Sequence, residues 1–132
     1  MKTVLAHGIF DLLHSGHVVH LMQCRSFGDR LIVSVLADAF VAKARKPHDN
    51  ELERAYMVGA LRCVDRVVIC RAPGPEDLLH TLKPSIYVRN DEYLDQNKPE
   101  YITCRELGID VAFTRTIPPH TSDLIAKIKA LP

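Results

Sequence analysis

The chain has 132 residues, 47% of them hydrophobic and 25% charged, a length that fits one domain able to bury roughly 68–70% of its unfolded surface. A formal net charge of +1 argues against a broad basic face for nucleic acid or for a membrane surface, so any cationic site must be local. Met1-Lys2 leads into a run too short for a signal-peptide core, and no apolar segment nears the ~18 residues of a membrane span, which predicts a cytoplasmic protein.

Taken in order, Lys2 to His7 reads as a buried first strand that Gly8 ends. Val18, Leu21, Met22 and Arg25 then recur at three- and four-residue steps and predict a first helix, closed at Gly28-Asp29. Leu31 to Leu36 is a continuous apolar run, as in a parallel strand covered on both faces. Asp38 to Asn50 is a polar loop holding Lys43, Arg45 and Lys46. A second helix is predicted from Glu51 to Arg62, with Leu52, Tyr56, Met57, Val58 and Leu61 as its apolar stripe, Arg54 facing water, and Asp49 or Asn50 as cap.

Arg66 to Cys70 is a third strand, Glu76 to Leu82 a short helix stopped before Pro84, and Ser85 to Val88 a fourth strand. Arg89 to Glu100 is polar and irregular. Pro99 to Leu107 looks helical with Gly108 as its cap, Asp110 to Phe113 is the fifth strand, and a last helix starts at Thr121 or Ser122. Strands alternating with helices throughout predict a single α/β domain over residues 1–132. The expected fold is a doubly wound, five-stranded parallel sheet of Rossmann-like type, with its ligand crevice at the carboxyl ends of the strands. Cys24, Cys63, Cys70 and Cys104 show no CxxC spacing and read as free thiols.

Four segments follow predicted strands: Gly8 to His17, Asp38 to Lys46, Arg89 to Tyr93, and Thr114 to Ser122. They gather much of the chain's Gly, His, Lys, Arg and Thr/Ser. The first, GIFDLLHSGH, joins a strand to a helix, where amide hydrogens and the positive end of the helix dipole favour a phosphate. His14 and His17 add donors there. His14, His17 and His20 also stand three apart, but three-residue steps drift by about 60° around a helix and no carboxylate completes a metal set. No protein-held metal is expected.

Gly8, Phe10, Asp11, His14, Gly16 and His17 match a GxFDxxHxGH segment, and on that match the chain resembles the cytidylyltransferase-like nucleotidyltransferases, among them glycerol-3-phosphate cytidylyltransferase and the heptose-1-phosphate adenylyltransferases. The resemblance continues through Gly28 to Val33, Ala60-Leu61, Val64-Asp65 and Arg115-Thr116. It implies transfer of a nucleoside monophosphate from CTP or ATP to a phosphorylated acceptor, with release of pyrophosphate, a Mg2+ ion carried on the triphosphate, and a homodimer. CMP transfer from CTP to a polyol or sugar phosphate is the leading expectation. AMP transfer from ATP to a sugar phosphate such as heptose 1-phosphate is the alternative, and a nucleotide sensor without turnover is a third reading.

The resemblance also distributes roles. His14, His17, Lys43, Lys46 and Arg115 would act on the phosphates. Gly8, Ile9, Phe10, Gly16, Arg89, Asp91, Glu92, Thr116, Thr121 and Ser122 would hold the nucleotide, with Gly8 and Gly16 allowing close backbone approach. Asp11, Asp38, Arg54 and His120 are the acceptor candidates. Two stretches depart from the family's pattern. Arg89-Asn90-Asp91-Glu92-Tyr93 stands where a glycine-acidic segment is usual, and Pro119-His120-Thr121-Ser122 replaces I-S-T-T.

Overall fold

The structure, a computed structural model, describes residues 1–116 and 129–130. Its strands are β1 (Thr3–Gly8), β2 (Arg30–Leu36), β3 (Arg66–Cys70), β4 (Ile86–Asn90) and β5 (Asp110–Thr114). All pair in parallel, in the order β3-β2-β1-β4-β5. The chain therefore builds outward from β1 to β2 and β3, then crosses back to lay β4 and β5 on the other side. This places the point where strand order reverses between β1 and β4, and a crevice opens at such a point.

Among the described residues four helices join the sheet in the expected α/β fold: α1 (Ser15–Ser26), α2 (Glu51–Gly59), α3 (Glu76–Leu82) and α4 (Pro99–Leu107). Because side chains alternate across a strand, each strand feeds two cores. Val4, Ala6, Leu31, Val33 and Val35 pack with Leu21 and Cys24 of α1 and Val58 of α2. On the opposite face Leu5, Ile32 and Tyr87 pack with Leu79 of α3 and Cys104 of α4. A fully buried leucine such as Leu21 contributes about 2 kcal/mol in this setting.

Three differences from the sequence reading bear on function. Helix α1 begins at Ser15 rather than near Val18, so both motif histidines belong to its start. The polar loop contains two short 3-10 turns, Asp38–Phe40 and Lys43–Arg45. Helix α2 stops at Gly59 because the chain then tightens into turns, with Leu61 N–H on the Val58 carbonyl and Val64 N–H on that of Leu61.

The face of α2 is also corrected. Leu52, Tyr56 and Met57, expected inside, are 66, 79 and 51% exposed, whereas Arg54, expected in water, is 1% exposed. Asn50 caps the helix as expected, accepting from Glu53 N–H at 2.9 Å. The four cysteines are free, and burial pushes their thiols up, Cys24 to about 12. Among the described residues no helix is long and apolar enough to cross a membrane. The expected start of a final helix, with His120, Thr121 and Ser122, lies outside the described residues.

Candidate functional site

Helix α1 starts at the carboxyl end of the central strand, and its cap is built from the two histidines. His14 Nδ1 accepts the Gly16 amide hydrogen at 3.0 Å, and His17 Nδ1 accepts that of His14 at 3.2 Å. A ring nitrogen that accepts an amide hydrogen carries none of its own, so each neutral imidazole keeps its proton on Nε2. The rings lie 4.0 Å apart, centroid to centroid. The corner thus presents two Nε2–H donors side by side, at a helix end whose first turn holds no acidic residue. That end carries roughly half a positive charge.

The glycines serve these rings. A Cβ on Gly16 would sit 2.7 Å from His14 Cε1, and one on Gly8 would sit 3.0 Å from Phe10 Cε2. Both positions make room for the motif's own side chains. Phe10 is 7% exposed, belongs to the core on the α1 side, and meets His17 edge-on at 5.8 Å. Phe10 and Leu12 have φ of 56° and 46°, a strained conformation for non-glycine residues of the kind that gathers at functional sites.

Asp11 joins this corner to the lysine loop. Its carboxylate accepts the amide hydrogens of His48 at 2.8 Å and Asp49 at 3.0 Å, and these two bonds hold its pKa below the usual carboxylate value. Beyond it opens a cavity of about 420 Å³, lined in part by Asp38, Val41, Lys43, Lys46, His48 and Asn50. The structure therefore brings Asp38, Lys43 and Lys46 around one space. His14, His17 and Arg115 are not among its lining residues.

Arg54 holds the frame of that cavity and is not among its lining residues. Its guanidinium donates to the carbonyls of Asp49, Ile9 and Leu36 at 3.0, 2.7 and 2.9 Å, and to Asp38 Oδ1. Asp38 in turn exchanges bonds with Glu51: its N–H donates to Glu51 Oε1, and its Oδ2 accepts from Glu51 N–H. One buried cation thereby ties together the segments that leave β1, leave β2 and enter α2.

At the other rim Arg89 is nearly buried. It follows Val88 on β4 and so faces the α4 side, with its side chain 10% exposed. Its NH1 donates to the His7 carbonyl at 2.9 Å, its Nε stands 3.7 Å from Glu100 Oε1, and its carbon CZ lies 4.2 Å over the Tyr93 ring. This is the underside of the motif, away from α1. Arg89 Nε, Glu100 Oε1 and Tyr87 OH are buried without a hydrogen-bond partner among the described residues.

Asp91 binds Thr116 twice, Oδ1 accepting from its hydroxyl at 2.6 Å and Oδ2 from its N–H at 3.2 Å. The Glu92 side chain is exposed, and its N–H caps onto Asn90 Oδ1. Thr116 hydroxyl also reaches Asn90 Oδ1 at 2.9 Å. Arg115 is exposed. The register sets Asn90 opposite Thr114, and Ala6 opposite Val88, so Arg115 emerges two strands, about 10 Å, from the histidine corner.

Several polar residues escaped the sequence reading. His7 is 9% exposed with Nδ1 2.7 Å from Ser34 Oγ, and burial, helped by Arg89 and Lys98, pulls its pKa down to about 3. His20 Nδ1 is 2.7 Å from Thr114 Oγ1, and burial lowers it to about 4. Gln23 bonds the backbone of Arg115. Only the three-residue spacing of His17, His20 and Gln23 hinted that these side chains share a side of α1. Among the described residues no group of three or more His, Cys, Asp or Glu is gathered to hold a metal.

A parallel sheet with a donor-rich, positively polarised helix start at its reversal point defines a Rossmann-like α/β domain with a corner suited to an anion. The chain belongs to the cytidylyltransferase-like family, which matches residues 5–122. It is 40% identical over 109 residues to the bifunctional protein HldE of Geotalea uraniireducens, covering 80% of this chain and 21% of that protein. It is 39% identical over 98 residues to the bifunctional protein HldE of Helicobacter pylori, covering 72% and 21%. The chain thus spans about a fifth of the length of these relatives.

Among solved structures, a lipopolysaccharide core biosynthesis protein from Thermoplasma volcanium superposes with a TM-score of 0.71 at 28% identity, over 89% of this chain and 97% of that one. Pantothenate synthetase from Thermus thermophilus superposes at 0.62 with 16% identity, over 90% and 57%. That second likeness is one of fold alone.

Proposed function

We propose that this domain transfers AMP from ATP to a phosphorylated sugar of the heptose 1-phosphate kind and releases pyrophosphate. This takes the alternative of the sequence reading over its leading expectation of CMP transfer. What favours the change is the company the chain keeps: HldE proteins at about 40% identity, and a structural neighbour from lipopolysaccharide core biosynthesis. The observation that carries the reaction itself is the paired, outward-available Nε2–H of His14 and His17 at the start of α1.

In this mechanism an oxygen of the acceptor's phosphate attacks the α-phosphorus. The bond to the bridging oxygen breaks, and its electron pair leaves with pyrophosphate. No covalent nucleophile from the chain is required, so catalysis reduces to placement and to stabilising the charge that grows on the leaving group. His14 and His17 supply Nε2–H hydrogen-bond donors to that charge. Lys43 and Lys46 supply cations from the wall of the neighbouring cavity, and Arg115 a planar fork for phosphate oxygens. Asp11, Arg54 and Arg89 keep these groups in register without touching substrate.

Ile9, Gly16, Asp91, Glu92 and Thr116 remain the nucleotide-side candidates, together with Thr121 and Ser122; Asp38 and His120 remain acceptor-side candidates. Mg2+ would travel on the triphosphate rather than on side chains of the protein. It would neutralise charge there while the chain's own residues hold the tail. A homodimer belongs to the same proposal, and sedimentation at twice the chain's mass tests it.

The deciding assay is pyrophosphate release with ATP and with CTP across a panel of sugar and polyol phosphates. Release from ATP with a sugar 1-phosphate is expected. Release from CTP with a polyol phosphate would restore the cytidylyl reading. Thermal stabilisation by nucleotide with no release from any acceptor would mark a sensor module.

A further inference from the structure

The site as proposed relies on Arg115, yet Arg115 stands just beyond the last residue of an edge strand, where among the described residues no neighbouring strand fixes its backbone. Gln23 of α1 does so. Its Oε1 accepts the Arg115 amide hydrogen at 2.8 Å, and its Nε2 donates to the Arg115 carbonyl at 3.0 Å. A primary amide is the one kind of side chain that offers a fixed acceptor and donor together, so Gln23 imitates the missing strand at a single residue. Asparagine carries the same amide but falls one methylene short.

The residues on either side are held as well. Thr114 is tied to His20, one turn before Gln23 on the same helix, and Thr116 to Asp91 and Asn90. Three consecutive residues are thus pinned, and among the described residues the Arg115 side chain makes no hydrogen bond or ion pair with another residue. The same helix that starts with His14 and His17 reaches Gln23 six residues later, about 9 Å along its axis. One rigid element therefore sets the histidine donors and the Arg115 backbone relative to each other.

We propose that Gln23 is a positioning residue for the triphosphate site: by clamping the Arg115 backbone from α1 it aims the guanidinium toward the phosphates gripped by His14 and His17. This rests on the reading that Arg115 binds phosphate, and the test separates the two. The affinities of Mg-ATP, with Mg-CTP in parallel, are measured by calorimetric titration for the wild type, Gln23→Met, Arg115→Ala and the double variant. Melting temperatures are recorded beside them. Methionine keeps the length of glutamine and removes both bonds.

Gln23→Met is expected to weaken binding roughly three- to tenfold in the wild-type background and to have no further effect once Arg115 is alanine, as coupled residues behave. If Arg115→Ala weakens binding and Gln23→Met does not, the clamp is wrong and the site reading stands. If Gln23→Met weakens binding equally in both backgrounds, its effect is a general one and the clamp is wrong. If Arg115→Ala changes nothing, Arg115 leaves the site and the clamp falls with it. Should Gln23→Met fail to fold, Gln23→Glu takes its place, since it keeps the acceptor and sets a carboxylate against the Arg115 carbonyl. The same loss confined to the Arg115 background is then expected, and its absence overturns the proposal.

Discussion

His14 and His17 each spend Nδ1 on the backbone and keep Nε2–H for a partner, so the site is built to donate from Nε2. Burial and the neighbouring His14 lower the pKa of His17 below the usual 6.5, which keeps it neutral at physiological pH. An imidazolium donor would be lost as pH rises past 6.5, whereas a neutral one persists. The rate with ATP is therefore expected to hold level from pH 7 to about pH 8.5, and a decline setting in at pH 7 would contradict neutral donors.

His17→Ala should lower turnover about 100-fold or more, the usual effect of removing one donor to a developing anion. It should also cost about 1 kcal/mol of stability, because the ring is half of the helix cap. Turnover near that of the wild type, measured beside urea unfolding, would remove His17 from the chemistry. The histidines were legible in the sequence because spacing fixes them on the strand-to-helix corner. The duties of Gly8, Gly16 and Phe10 were not, since they depend on where the motif's own rings fall, and no spacing rule encodes that.

At the scale of elements, the lysine loop is held by two charged side chains whose work is internal. Asp11 takes two amide hydrogens from its end, and Arg54 spans three carbonyls from β1, β2 and the start of α2. Replacing Arg54 with leucine leaves those carbonyls without a donor and should destabilise the domain by about 3 kcal/mol. Its ion pair with Asp38 adds less, because that carboxylate is 41% exposed. Urea unfolding checks this, and an Arg54→Leu domain as stable as the wild type would show that the carbonyls find other partners.

The same residue explains why the face of α2 was misread. Hydrophobic periodicity over Glu51 to Arg62 treats an arginine as surface and Leu52, Tyr56 and Met57 as core. The carbonyls that bury Arg54 are gathered only when β1 and β2 lie side by side, so nothing local announces them. Asn50 as cap was legible because a cap is chemistry of adjacent residues.

For the molecule as a whole, the order β3-β2-β1-β4-β5 puts the histidine corner at the point of reversal, with lysines on one side and Arg115 on the other. Alternation of strands and helices in the sequence was enough to anticipate this architecture. It was not enough to anticipate the polar cluster beneath the sheet, where His7, Ser34, Arg89 and Glu100 are buried. His7, Ser34 and Arg89 stand in strands that otherwise read as apolar, and Glu100 stands in the first turn of α4.

Folded His7 stays neutral to about pH 3, whereas the unfolded chain protonates it near 6.5. Between those values the unfolded state binds the extra proton. Stability should thus fall as pH drops from about 6.5, by up to about 1.4 kcal/mol per pH unit from this group. His20, held down to about 4, acts in the same direction. Urea midpoints at pH 7 and pH 5 test this: His7→Gln should flatten the slope, and a wild type equally stable at both pH values would contradict it.

The account turns on whether the start of α1 grips a polyphosphate tail. Calorimetric titration of Mg-ATP into the wild type and into a folded His14→Ala/His17→Ala variant asks this most directly. The account predicts saturable one-to-one binding by the wild type and at least a 100-fold weaker affinity in the variant, about 2.7 kcal/mol. Equal affinity in both proteins would place the triphosphate elsewhere and contradict it.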